Sequence, residues 1–123
     1  MKISKLGSAL AFCLALSAGQ AHAEPWEVTV FNKGQYKIGN IEIGDGGAIY
    51  RDGLKVGESA IVKFDKPPGV CKLGIKIWYA GSTPPPLPGD GYEPRNWDSA
   101  NVDVCKKGLT IWRSETNFMV SAF

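Results

Sequence analysis

Val70-Cys71-Lys72-Leu73-Gly74-Ile75-Lys76-Ile77-Trp78-Tyr79 is the stretch that decides the fold. Cys71, Leu73, Ile75, Ile77 and Tyr79 share one parity, and Lys72, Lys76 and Trp78 share the other. Successive side chains of a strand point to opposite faces, so a period of two reads as a strand with one buried and one solvated face. There is no long helical pattern around it. Short apolar segments alternate with Gly, Pro, Asn and Asp at close intervals, which is the pattern of an all-β domain.

Working outward, Trp26 to Phe31 alternates with Trp26, Val28 and Val30 on one face. Lys37 to Ile43 points Ile41 and Ile43 together, and Asp45-Gly46-Gly47 reads as a turn. Ala48 to Arg51 is a short strand closed by Asp52-Gly53. Glu58 to Phe64 turns Ala60, Val62 and Phe64 inward, and Lys66-Pro67-Pro68-Gly69 breaks the chain. Leu109 to Arg113 and Asn117 to Phe123 supply the last strands. The expectation is a small antiparallel β-sandwich of about seven short strands.

Asn101 to Cys105 poses a conflict. Val102 and Val104 share a face, which puts Cys105 on the face of Asp103. Either a bulge shifts the register near Val104, or the strand ends there and the cysteine turns inward. Between the two cysteines lies a long proline-rich loop, taken as residues 82–100. Ser82-Thr83-Pro84-Pro85-Pro86-Leu87-Pro88-Gly89 cannot join a ladder, because proline donates no hydrogen bond. A loop of about 20 residues in so small a domain is uncommon and often functional.

The start of the chain reads as a cleavable export signal over residues 1–23. Lys2 and Lys5 form a basic start, Leu6 to Leu16 is an apolar run too short to span a bilayer, and Ala21-His22-Ala23 ends in small residues. Cleavage near Ala23 leaves residues 24–123 as one domain in the periplasm or outside the cell. Of 14 basic and 12 acidic residues, Lys2 and Lys5 leave with the signal, so the domain is formally neutral. A neutral domain lacks the positive field of nucleic-acid binding, and no second apolar run suggests membrane insertion.

Cleavage also removes His22 and Cys13, leaving Cys71 and Cys105. A structural zinc site wants four Cys or His ligands at close spacing. Two cysteines without a histidine fit a disulfide better, and Cys71 on the core face suggests one that joins the two sheets.

The order Trp26-x-Val28-x-Val30-Phe31-Asn32, then Ile38…Ile41-x-Ile43, Leu54-x-x-Gly57-Glu58-Ser59, Gly69-Val70-Cys71 and Val102-Asp103-Val104-Cys105 resembles a group of small uncharacterised proteobacterial periplasmic proteins with a signal peptide and two cysteines. The resemblance implies a small β-sandwich and a periplasmic address. It implies no catalytic residues, and the proline-rich insertion departs from the group's usual short hairpin.

Catalytic machinery is sparse. Nucleophilic catalysis needs a nearby base, and no histidine follows the signal. Paired carboxylates leave a small hydrolase as a remote reading. Hard cations such as calcium or a lanthanide take six to eight oxygen ligands, and Asp90, Glu93, Asp98 and Asp103 form a candidate set in and beside the loop, with Glu42, Asp45 and Asp52 a thinner one. Trp78 and Trp112 fall opposite the aliphatic parity of their strands, and Tyr92 and Trp97 sit in the loop. Exposed aromatics of this kind anchor partners. The expectation is a non-enzymatic exported binding protein acting through residues 82–100, on a hard metal ion or on a protein partner. A metal-bridged homodimer satisfies both.

Overall fold

The computed structural model describes residues 23–45, 47–89 and 95–123. The segment read as an export signal, up to His22, and the candidate residues Asp90, Tyr92 and Glu93 lie outside the described residues. Eight strands form two four-stranded sheets packed as a β-sandwich: β1 (Glu24–Asn32), β2 (Ile38–Ile43), β3 (Ala48–Tyr50), β4 (Ser59–Lys66), β5 (Lys72–Tyr79), β6 (Trp97–Asp103), β7 (Gly108–Arg113) and β8 (Phe118–Ala122). One sheet runs β4-β1-β7-β8 and the other β3-β2-β5-β6. The core between them includes Val28 and Val30 of β1, Ile41 and Ile43 of β2, Val62 and Phe64 of β4, Ile75, Ile77 and Tyr79 of β5, Val102 of β6, and Leu109 and Ile111 of β7. Each comes from one parity of its strand, so the two inner faces interdigitate and the other parity faces out.

Two features differ from the sequence expectation, and a third decides between its stated alternatives. The sandwich is not wholly antiparallel, because β1 pairs parallel with β7, Val30 opposite Leu109 and Phe31 opposite Thr110. Such a pair needs a long crossover, and the whole β2–β6 segment supplies it. Secondly, the loop is shorter than residues 82–100, because β6 begins at Trp97, which pairs with Trp78. Thirdly, β6 ends at Asp103 and residues Val104–Lys106 form one 3₁₀ turn, which settles the parity conflict. The turn keeps Val104 in the core while Cys105 swings back to Cys71.

That disulfide joins neighbouring strands of one sheet, not the two sheets. Cys71 precedes β5, Cys105 follows β6, and the last ladder pair, Lys72 opposite Asp103, lies beside the bond. Neither cysteine is buried. Trp26 closes the same end. Its indole N–H donates to the Val104 carbonyl at 2.8 Å, and the ammonium groups of Lys66 and Lys107 lie 4.9 and 4.4 Å from its ring.

Candidate functional site

Asp98 lies in β6 with its side chain turned inward, on the parity of Ala100 and Val102, and is 3% exposed. Arg113, at the end of β7 in the other sheet, is equally buried. The guanidinium Nε donates to Asp98 Oδ2 at 2.7 Å, and the Tyr79 hydroxyl donates to the same oxygen at 2.8 Å. The other guanidinium nitrogens donate to backbone carbonyls, Nη2 to Pro85 at 2.6 Å and Nη1 to Ser114. Every buried side-chain polar atom among the described residues has a partner. One arginine therefore ties β6 to β7 across the sandwich and holds the proline run at Pro85, where the adjacent Pro84 is buried.

Burial and the Asp98 carboxylate push the Tyr79 hydroxyl far above its ordinary value of 10.0. An acid whose folded value is raised contributes stability that is complete below its unfolded value and is lost as pH rises beyond it. Stability should therefore hold up to about pH 10 and decline above it, with Tyr79 absorbing as phenolate only on unfolding. Tyr79→Phe should flatten that alkaline decline and lower neutral-pH stability by about 1.5–3 kcal/mol, the range for a hydrogen bond to a charged group. Denaturant midpoints at pH 7 and above pH 10 check both effects. An unaltered alkaline limb in the variant would remove Tyr79 as its source.

Of the hard-ion set only Asp98 and Asp103 lie among the described residues, and both are already engaged. Asp98 is committed to Arg113 and Tyr79, and an incoming cation would have to displace a buried guanidinium. Asp103 caps the 3₁₀ turn, its Oδ1 accepting from the Cys105 N–H at 3.0 Å. Glu42 of the thinner set accepts from the Trp78 indole N–H. Cys71, Asp103 and Cys105 bring donor atoms close to one another, but the two sulfurs are bonded to each other and offer no thiolate.

The aromatic candidates divide. Trp78 and Trp97 face each other across β5 and β6 on the outer face of their sheet, ring centroids 6.1 Å apart and both half-buried. Lys76 lies 5.4 Å from the first ring and 4.3 Å from the second, and Arg95 lies 4.5 Å from Trp97. These rings are occupied by cations of their own chain. Trp112 is different. It projects from the outer face of the other sheet and is 43% exposed, and among the described residues no cation lies over its ring.

Trp112 stands opposite Met119 of β8, which is 53% exposed. On the same face Ile61 is 57% and Phe123 62% exposed, and Phe123 leans on Phe31 at 5.7 Å. Trp112, Phe118 and Met119 form the apolar side of a groove of about 580 Å³, and Lys33, Gly34 and Gln35 form its far wall. Asn32 builds that wall. Its side-chain amide, buried at the end of β1, donates to Tyr36 and Leu54 carbonyls and accepts from the Gly34 N–H. Gly34 then abuts β7, where a Cβ would lie 2.4 Å from the Arg113 nitrogen, so only glycine fits. A larger groove beside Trp26, about 670 Å³, is edged instead by charges from Glu27, Lys63, Asp65 and Lys107.

Parity marked Trp112 as outward-facing, as the structure has it, and gave no sign of the groove around it. The far wall comes from a loop more than 70 positions away, and nothing local ties Gly34 to Arg113. Searches of family models, curated proteins and solved structures found no match for the chain.

Proposed function

We propose that this protein is an exported, non-enzymatic protein-binding module whose contact surface is the apolar face around Trp112. The observation that carries the reading is the exposure of Trp112 and Met119 beside a preformed groove. A tryptophan is 150–250 Å² of largely apolar surface, and large aromatics in the centre of a contact carry most of its energy. The groove favours a partner segment that inserts one apolar or aromatic side chain between Trp112 and the Lys33–Gln35 wall. The Cys71–Cys105 bond supports an oxidising compartment. The proline-rich loop, tied down at Pro85, then frames the domain and is not itself the recognition element. Of the described hard-ion candidates, Asp98 is paired with Arg113, Asp103 caps a turn and Glu42 accepts from Trp78, so these three lend the hard-ion reading no support.

The test is a photo-crosslinking amino acid placed at Asn117 in the groove, or at Leu87 in the loop, in cells that export the protein. An adduct from position 117 whose mass differs from twice the chain's own, and which disappears with Trp112→Ala, is the expected result. Adducts from position 87 alone would move recognition to the loop, and silence at both positions would overturn the proposal.

A further inference from the structure

A four-stranded sheet has two edges, and this sandwich therefore has four: β4, β8, β3 and β6. An edge strand presents unpaired N–H and C=O groups to any passing chain, and stable proteins protect it with charge, brevity or an inward-pointing ionic residue. Three of the edges carry such a device. β4 bears Lys63, Asp65 and Lys66, β3 has three residues, and β6 turns Asp98 inward. β8 has none. From Asn117 to Phe123 the chain contains no charged side chain and no proline.

The register shows what β8 offers. Phe123 N–H donates to Gly108 C=O and Ser114 N–H to Asn117 C=O, each at 2.9 Å. Hydrogen-bonded pairs alternate along an antiparallel ladder. Residues 117, 119, 121 and 123 therefore aim their backbone groups at β7. Phe118, Val120 and Ala122 aim theirs away from it, and these positions have no other strand partner among the described residues. Their side chains pack on the core, so the strand is held in place alongside β6 of the other sheet, with no strand among the described residues hydrogen-bonded to its outer edge.

We infer that β8 is a dimer seam, on which a second copy of this chain pairs antiparallel about a two-fold axis at Val120. In that register Val120 faces its own mate, Phe118 faces Ala122, and the N–H and C=O groups of all three positions are paired. On the outer face Met119 meets Ser121, a large side chain against a small one. The choice of a second copy rests on charge and symmetry. The edge has no charged side chain with which to select a foreign peptide, whereas a copy presents the same strand in a register that closes on itself. The result is one eight-stranded sheet, with the apolar positions Trp112, Met119 and Phe123 of both copies on a single continuous face. The seam buries little beyond one strand, so the dimer should be of micromolar strength.

The test spares the groove and targets only the seam. Proline at an edge position whose N–H faces away from the sheet removes a donor the monomer does not use. Val120→Pro and Ala122→Pro should each leave the near-ultraviolet circular dichroism intact and raise the dimer dissociation constant about tenfold or more, since symmetry deletes each lost bond twice. Sedimentation equilibrium of the purified oxidised protein and both variants reads this directly. If Val120→Pro loses its near-ultraviolet signal, Ala122→Pro decides. A wild-type protein monomeric up to about millimolar concentration, or a dimer as tight in the folded variants as in the wild type, would overturn the inference. Neither result bears on crosslinking through Asn117, which tests partner binding separately.

Discussion

Asp98→Asn is expected to lower stability by about 3–5 kcal/mol, the range for removing one partner of a buried ion pair. Asparagine keeps the shape of the side chain and still accepts from the Tyr79 hydroxyl, so a cavity is not the cause. The cause is Arg113, which keeps its charge at every accessible pH and would be left 3% exposed with no carboxylate. For a domain of about 100 residues, each kcal/mol moves the melting temperature by about 4–8 °C, so the variant should melt at least about 12 °C lower. Arg113→Met should lose a similar amount by a different route. It strands the Asp98 carboxylate and also frees the Pro85 and Ser114 carbonyls. Limited proteolysis separates the two variants: residues 82–89 should be cut faster in Arg113→Met, whereas Asp98→Asn keeps the Pro85 bond. The double variant should be more stable than the sum of the single losses implies, by about 0.5–3 kcal/mol, because neither charge is then left alone. A loss under about 1 kcal/mol for Asp98→Asn would mean that the sheets are not joined through this pair.

The network also explains why part of the molecule was legible in the sequence and part was not. Alternation identified the strands because burial on one face leaves a period of two, and Ile75, Ile77, Val62 and Val28 could be read without knowing what they touch. Asp98 was misread as loop because a carboxylate followed by Ser99 suggests solvent. Its parity with Ala100 and Val102 was the available signal, and its meaning depends on Arg113, 15 positions on and in the other sheet. The parallel β1–β7 pair was hidden for the same reason, since no local feature of either strand records its partner's direction. The parity conflict at Cys105 was visible, and one of its two stated resolutions, strand termination, is the one found. Trp78 and Trp112 had the same signature in sequence. Only their neighbours separate them: Lys76 and Glu42 engage the first, whereas the second stands opposite Met119 and, among the described residues, has no cation over its ring.

That separation bears on how the proposed contact is held. Arg113 follows Trp112, and strand alternation makes the inward anchor of one the outward display of the other. The buried guanidinium, the Gly34 contact and the Asn32 amide together fix the backbone beneath the groove. Little side-chain and loop ordering then remains to oppose association, which is the general advantage of a preformed site. Weakening the Asp98–Arg113 pair should loosen that wall as well as lower the melting temperature. The ionic joint is thus a link from stability to binding.

The other large effect is removal of the disulfide. Cys71→Ser with Cys105→Ser should lower stability by about 3–4 kcal/mol, because the bond closes a loop across a separation of 34 residues and the chain-entropy model assigns about that much to a loop of such length. The loss acts mostly on the unfolded chain. In the native state the same end is still held by the Lys72–Asp103 pairing, by the Val104 N–H donating to the Cys71 carbonyl at 2.9 Å, and by Trp26 on the Val104 carbonyl. The serine variant should therefore fold to the same near-ultraviolet spectrum and melt about 12–30 °C lower. Reductant should lower the wild-type melting temperature by a like amount and leave the serine variant unmoved, which separates the bond from the side-chain change. A domain this small has on the order of 5–10 kcal/mol to lose, so the reduced protein would retain only a thin margin of stability in a reducing compartment. If reduced and oxidised forms melt within a few degrees of each other, the bond is incidental to the fold and the argument from cysteine chemistry to an exported protein loses its physical basis.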